Sequence, residues 1–432
     1  MVKSKFNVER DTHLHFENKP ASWHFFIFLF ALYSIVYMTK NCFNAALADI
    51  VNEGILTKSQ TGSITAAFYI VYAPLQIVGG MAADRFSPHM LIKIGLIGGA
   101  VANSIIFFNQ NYYVMLITWV LNAVVQFAVW PSVFKIMTSE LCRSDRKQMV
   151  FYMSLSSTAG LLGNYLLAAF LPSWEYNFAV SAALLLGLAV GIHFYDRHIN
   201  KYMIPDRVEA VEVKATASAS YSGSSIKLFW FSGMFLLLIP VFVRSVIGQG
   251  IKSLSPTMIM ETYGMTPQIS NLLNIFIIIA GIAGTMMVRF LLKDRMSDMT
   301  GIAVFLTLTL GLSVALLFSD NLITTMIILC LMSTTSTAPT LFMSYFNSGF
   351  SKYGKNATAT GIYNTAGSLG VCASGYVIAV IADNFGWGVT MEVWCAMLAV
   401  SVAVTAVIIP INNRFRKKEA EREALAAKSE NL

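Results

Sequence analysis

Charge is what this sequence has least of. Only 12% of its 432 residues are Asp, Glu, Lys or Arg, about half the share in an ordinary soluble protein. Hydrophobic residues make up 56% and the mean hydropathy is +0.62. Such a chain has too little polar surface to clothe a water-soluble globule, so most of it is expected to face lipid or other membrane helices. Acidic residues are scarcest where they would matter most. None falls in the middle of an apolar run, and Asp49, Glu53 and Glu261 all lie near run ends. Proton-driven importers commonly use a buried carboxylate as relay, so its absence favours an anion exchanger or a uniporter. Proton coupling through an end carboxylate, or through the solute itself, stays open.

Cysteine is sparse and unpatterned. Cys42, Cys142, Cys330, Cys372 and Cys395 are odd in number and show no CxxC or metal-ligand spacing, which argues against a disulfide framework or a zinc site. Nucleophilic triads, paired catalytic carboxylates, phosphate-cradling glycine loops and HExxH are missing as well, so neither an enzyme nor a cofactor is expected. The net charge of +7 sits in short loops rather than in a stripe, and gives no reason to expect nucleic acid. Residues 1–20 are polar and pass straight into a long apolar run, a pattern unlike a removable signal peptide.

What is present is apolar length. Runs of about 20 residues cross the hydrocarbon core, and twelve can be drawn: 22–50, 59–83, 89–109, 112–138, 148–171, 174–196, 229–260, 267–292, 299–318, 321–348, 356–382 and 387–411. Helices are the expected form, since lipid offers nothing to unpaired backbone groups and no barrel alternation appears. Basic residues gather in the loops of one side: Arg85, Lys93, Arg143, Arg146, Lys147, Arg197, Lys201, Arg207, Lys227, Lys293, Arg295, Lys352, Lys355 and Arg414 onward. The other side has Lys58 beside Glu53, Asp320 and Asp383. The positive-inside rule then puts both termini in the cytoplasm, as an even number of spans requires.

Residues 197–228, with Pro205 and an Ala/Ser-rich stretch over 215–225, read as a flexible linker. The expected organisation is a cytoplasmic tail (1–21), a six-helix bundle (22–196), the linker (197–228), a second six-helix bundle (229–411) and a cytoplasmic tail (412–432). The last touches anionic headgroups of the inner (plasma) membrane. The fold class is therefore all-α, integral to the membrane, in two pseudo-symmetric halves.

One short segment recurs with a single change, Leu161 to Ser368. Thr158-Ala159-Gly160-Leu161-Leu162-Gly163 returns as Thr365-Ala366-Gly367-Ser368-Leu369-Gly370. The spacing is close to half the chain, which points to duplication of a whole membrane half and to a two-domain secondary transporter. Its small residues read as close packing where the halves slide.

The loop after the second run, Gly80-Met81-Ala82-Ala83-Asp84-Arg85, resembles the loop motif of the major facilitator superfamily. Phe86, Ser87, Pro88 and His89 follow where that family continues with Gly and basic residues. The resemblance implies a twelve-helix carrier in which Asp84 caps the start of the eleventh helix, with Lys135 as the basic partner of this conformational switch. Further segments resemble its organophosphate/phosphate antiporter and organic-anion (anion:cation symporter) branch: Tyr33, Tyr37, Lys40 and Phe43; Gln126, Trp130 and Pro131; Ser255-Pro256-Thr257; Ala280-Gly281-Ile282 with Gly284 and Thr285; and Phe385-Gly386-Trp387. Against the phosphate-ester antiporters, Lys40 and Gly248 stand where that branch carries Arg, and Ser157 where it carries His. Lysine is a point charge and arginine a fork suited to phosphate, so the sequence favours a carboxylate such as a sugar acid over a phosphate ester.

Lys40 is the leading site candidate, because an ionisable group deep in a span is costly and by default functional. Its bland alternative is a lysine snorkelling to the interface. Tyr33 and Tyr37 share its face. Applying the repeat offset to Lys40 leads to Ile247 and Gly248, and so to Arg244 and Lys252 as further cations. Gly248 and Gly250 would permit a bent or unwound helix there. Gln126, Trp130, Ser157, Asn274, Thr337 and Asn364 are candidates to line the same cavity, each with interhelical hydrogen bonding as its alternative role. The expectation is an alternating-access carrier of a small organic anion, coupled to a proton, sodium or a counter-anion, and working as a single chain. The alternatives are an organophosphate/phosphate antiporter and a non-transporting membrane sensor with the carrier fold.

Overall fold

A computed structural model describes residues 14–16, 18–142, 145–153, 155–199, 203–205, 225–292, 295–353 and 356–430. Most of the linker, with Lys201, Arg207 and the stretch 215–224, lies outside these residues, as do loop residues Arg143, Lys293 and Lys355. A short strand β1 (Leu14–Phe16) precedes α1 (Lys19–Lys40), α2 (Cys42–Asn52), α3 (Lys58–Arg85), α4 (Pro88–Phe108), α5 (Tyr112–Gln126) and α6 (Val129–Ser139). Then come α7 (Arg146–Met153), α8 (Ser156–Phe170), α9 (Glu175–Ile199), strand β2 (Met203–Pro205), α10 (Ser225–Phe231) and α11 (Met234–Tyr263). The remaining helices are α12 (Pro267–Met287), α13 (Asp298–Leu317), α14 (Leu322–Thr337), α15 (Pro339–Ser348), α16 (Asn356–Ala373) and α17 (Ala379–Glu430). Single π-helical turns, Val288–Leu292 and Ser374–Ile378, extend α12 and join α16 to α17.

Among the described residues helix occupies most of each of the twelve apolar runs. Local chemistry explains where many of them begin. Asn18, Asn111, Thr266, Ser297 and Asn321 each accept a backbone N–H at the start of a helix, and Pro20, Pro88, Pro267 and Pro339 occupy first-turn positions where no donor is needed. Among the described residues nine helices are long and apolar enough by themselves to cross a membrane. Three departures separate nine from twelve: α3 is not among the nine, the fifth run is divided between α7 and α8, and the last two runs read as one helical stretch. Gly386 (φ 79°) kinks that stretch, in a conformation that suits glycine.

The chain packs as two compact units, Met1–Ile50 with Ile70–Thr216, and Val51–Tyr69 with Ala217–Leu432. In the first, Phe25, Leu29, Leu32 and Val36 of α1 meet Ile92 and Leu96 of α4, Val133 and Ile136 of α6, and Leu185 of α9. Phe43, Trp119 and Phe178 stack edge to face, with centroids 4.8 and 5.0 Å apart. β1 pairs antiparallel with β2, Leu14 opposite Pro205, so the stretch before α1 is tied to the described beginning of the linker.

The repeated segment finds its use inside the units. Lipid is as apolar as leucine, so helices in it associate through close packing rather than through burial. In the first unit a Cβ at Gly160 would run into the Ser34 carbonyl of α1, and Gly163 faces Met38 Sδ. In the second, a Cβ at Gly370 would meet the Phe242 carbonyl and Ser245 of α11, and Gly367 faces Ser245 Oγ. Each copy therefore seats its helix on the first long helix of its own half. The expectation that these glycines mark a sliding surface between halves is corrected: both copies make within-unit seams, where only a missing side chain lets backbones touch.

In the second unit the start of α3 is gripped firmly. Lys58, buried, donates to both oxygens of Glu261 at 3.1 and 2.9 Å. Trp387 Nε1 donates to the same carboxylate at 2.7 Å, and the Lys58 amine stands 5.4 Å from a Trp387 ring centroid. Ser59 gives its N–H and hydroxyl to Asp383. Burial pushes the Asp383 carboxyl up, but the Ser59 bonds and the Lys58 charge outweigh it and leave it below the usual carboxylate range. One turn on, Gly62 abuts the Gly375 carbonyl in the π-helical turn.

Overpacking a tight seam costs about 1–3 kcal/mol. Gly160→Val and Gly370→Val should each lower the thermal unfolding midpoint in detergent by several degrees. Gly187→Val, at a position with open space around it, should leave the midpoint unchanged.

Candidate functional site

The first apolar run loses its helix for one residue at Asn41 (φ −106°, ψ 12°), so Lys40 ends α1 in the interior of the first unit. Its side chain is buried: the residue is only 7% exposed. Lys40 Nζ donates to Tyr72 Oη at 2.7 Å and lies 4.4 Å from the Tyr72 ring centroid. Among the described residues no carboxylate pairs with it. A phenol and a ring face offer a cation far less than a carboxylate does, and the amine keeps donors for a further acceptor.

Tyr72 was not foreseen. It lies in α3, thirty-two residues from Lys40, and nothing in its neighbourhood sets it apart from other interfacial tyrosines. An aromatic wall lies beside this pair. The Tyr33 ring lies tilted against Trp130, with centroids 4.5 Å apart, and against Tyr37 at 6.4 Å, and Tyr37 precedes Lys40 by one turn. The structure thus gathers Tyr33, Tyr37, Lys40 and Trp130 into one region. Ser157 is half-buried on α8, one turn before the Gly160 seam.

Gln126 stands apart from that group. It is buried in the seam of α4 and α5, where its Nε2 donates to Asn122 Oδ1 at 2.6 Å and presses on Gly99. The helix breaks immediately after it; the Nε2 is bonded one turn back on the same helix, while the buried Oε1 has no partner among the described residues.

In the second unit Arg244 Nη1 donates to Thr340 Oγ1 at 2.8 Å and Nη2 to Ser245 Oγ at 2.9 Å. The buried Nε has no partner. A guanidinium held by neutral hydroxyls keeps its full charge for a guest. Lys252, two turns along α11, is half-buried. Its backbone carbonyl receives Asn274 Nδ2 at 2.8 Å, so that amide braces α12 to α11. Thr337 likewise serves a seam, donating to the Gly281 carbonyl at 2.7 Å. Asn364 is exposed on α16. The expected unwinding at Gly248 and Gly250 does not occur, since α11 is continuous through both. Gly250 is small for another reason: a side chain there would strike Trp394 and Ser374.

The loop motif is only partly visible. Asp84 lies in the last turn of α3, with its side chain outside the described residues. Lys135 Nζ donates to the Ala83 carbonyl at 2.6 Å, a cation at a helix C-terminus as the dipole favours. Arg85 is exposed, and Gly80 has open space around it.

Known proteins resemble this chain in sequence and in fold. Residues 29–375 match the Major Facilitator Superfamily. The chain is 29% identical over 170 residues to the membrane sensor protein UhpC of Salmonella typhimurium, covering 39% of this chain and 38% of the sensor. It is 24% identical over 297 residues to the glycerol-3-phosphate transporter of Bacillus subtilis, covering 62% of this chain and 64% of that one. The matched stretch is thus well under half of the sensor's length. In fold, the chain resembles an inward-facing bacterial homologue of the human lysosomal transporter Spinster, with a TM-score of 0.66 at 14% identity over 92% of this chain and 96% of that one.

A hydrogen bond to a charged group contributes about 1.5–3 kcal/mol. Tyr72→Phe should therefore lower stability measurably while keeping the ring contact, and Tyr72→Ala should lower it further. A Tyr72→Phe protein with the wild-type unfolding midpoint would show that the amine does not rely on the phenol.

Proposed function

The chain belongs to the Major Facilitator Superfamily, and on that premise we propose that this multi-pass transporter exchanges small phosphorylated organic anions by alternating access. One observation carries the reading: the Lys40 amine lies in the interior of a membrane protein with a tyrosine as its described partner. An ionisable group so placed is a standing cost that an anion relieves. Arg244 and Lys252 supply further positive charge in the second unit, and Arg244 has the fork that suits a phosphoryl group. Tyr33, Tyr37 and Trp130 give the carbon skeleton of the solute a wall. Binding of the anion cancels the cost of the bare cations, and that gain couples occupancy to the change of conformation.

The sequence alone favours a carboxylate, because the branch's arginine pair is incomplete. Two findings move the preference to a phosphate ester: the similarity to a glycerol-3-phosphate transporter over 297 residues, and the placement of Arg244 among hydroxyls rather than acids. A sugar acid is the second reading, supported by Lys40 standing where the branch has arginine. A sensor that retains the carrier fold is the third, supported by the similarity to UhpC over 170 residues. We place the protein in the inner membrane with both termini cytoplasmic, on the strength of the basic loops.

Counterflow in proteoliposomes separates these readings. Vesicles preloaded with inorganic phosphate should take up labelled glycerol 3-phosphate, and Lys40→Ala should reduce that uptake at least about tenfold with the fold intact. Exchange of gluconate but not of phosphate compounds would establish the carboxylate reading instead. A folded protein that binds glycerol 3-phosphate without exchanging it would be the sensor.

A further inference from the structure

Three buried asparagines from three spans meet directly behind Lys40. At Asn41 the backbone N–H turns to the Met38 carbonyl, three residues back, at 3.0 Å. The Tyr37 carbonyl, four residues back, thereby loses its ladder donor, and Asn41 Nδ2 replaces it at 2.8 Å. Asn44 Nδ2 in turn donates to Asn41 Oδ1 at 2.9 Å. The Asn41 carbonyl accepts the backbone N–H groups of Asn44 and Ala45 and also Asn164 Nδ2 of α8, at 2.7 Å. Asn164 Oδ1 accepts Asn177 Nδ2 of α9 at 3.0 Å. Next to the break, Cys42 Sγ lies 3.1 Å from Ser181 Oγ, also of α9. Asn41 is 2% exposed and Asn164 and Asn177 are 0% exposed.

Seating α8 on α1 needs no such chain, since the Gly160 seam already does it. Buried amides are costly unless satisfied, and a connected set fixes one geometry. This set is spent on one peptide, the one that follows the cation. We infer that Asn164 and Asn177 are positioning residues, which set the bend at Asn41 and so the direction in which Lys40 presents its amine to the transported anion. The inference rests on Lys40 being the anion's contact, while the bend itself can be tested without a solute.

The test replaces Lys40 with Cys in a background carrying Cys142→Ser, Cys330→Ser, Cys372→Ser and Cys395→Ser. Cys42 is kept, because it is fully buried. Labelling of position 40 by a charged methanethiosulfonate is timed with and without Asn164→Ala, and Tyr33→Cys serves as a control one turn and more upstream. Asn164→Ala should change the rate at position 40 by about fivefold or more and leave the rate at position 33 within about twofold. With Lys40 in place, Asn164→Ala should raise the half-saturating glycerol 3-phosphate concentration about tenfold with little change in maximal rate. Asn177→Ser, which leaves Asn164 in place and removes its clamp, should give smaller changes in the same sense and decides the matter if Asn164→Ala does not fold. Equal labelling at position 40 in the folded variants overturns the inference. Altered labelling, in a protein whose uptake is indifferent to Lys40→Ala, upholds the bend and overturns the anion contact.

Discussion

A cation in the interior of a membrane protein has to be answered by something, and in this chain the first answer is a tyrosine. The bond from Lys40 to Tyr72 and the ring beneath the amine satisfy one donor and leave the charge without a counter-ion among the described residues. That imbalance organises much of the first unit. It accounts for Tyr33 and Tyr37 on the same stretch of α1, because rings and phenols tolerate a cation where methyl groups do not. It also explains why the break in the helix falls immediately after the lysine, where the backbone itself is spent on fixing the side chain's direction.

The scaffold around that amine follows from packing without a hydrophobic drive between helices. Gly160 of α8 against α1 and Gly370 of α16 against α11 do the same task in the two units, and the residues they touch differ by nearly the same offset as the repeat itself. The duplication is thus preserved in the seams more faithfully than in the polar groups. Arg244 and Lys40 have no counterparts at repeat-related positions. The two halves thus share a frame and differ in their charges.

Much of this was legible in the residues. Apolar run length and the impossibility of bare backbone in lipid gave the helices, with boundaries close to those of α3, α4, α12 and α13. Lys40 could be singled out because a lysine in an apolar run has few alternatives. The polar residues were harder to read, since serine, threonine, asparagine and glutamine serve seams and sites alike. Asn274 and Thr337 were candidates for the site, yet each is occupied in joining helices, and the Gln126 Nε2 bonds one turn back along its own helix. Glycine misled in two ways: Gly250 is small to admit Trp394 rather than to bend α11, and the repeated glycines lie within units. Tyr72 and the asparagine set depend on contacts across thirty to more than a hundred residues, which no local pattern announces.

The grip on the start of α3 has a property of its own. Glu261 Oε2 receives Lys58 and Trp387 at once, so one carboxylate fastens three stretches of chain that are remote in sequence. Such a clasp cannot loosen by degrees. Withdrawing that single acceptor sets the lysine and the indole free together, so the end of α11 lets go of both in one step, while Ser59 still ties the beginning of α3 to Asp383.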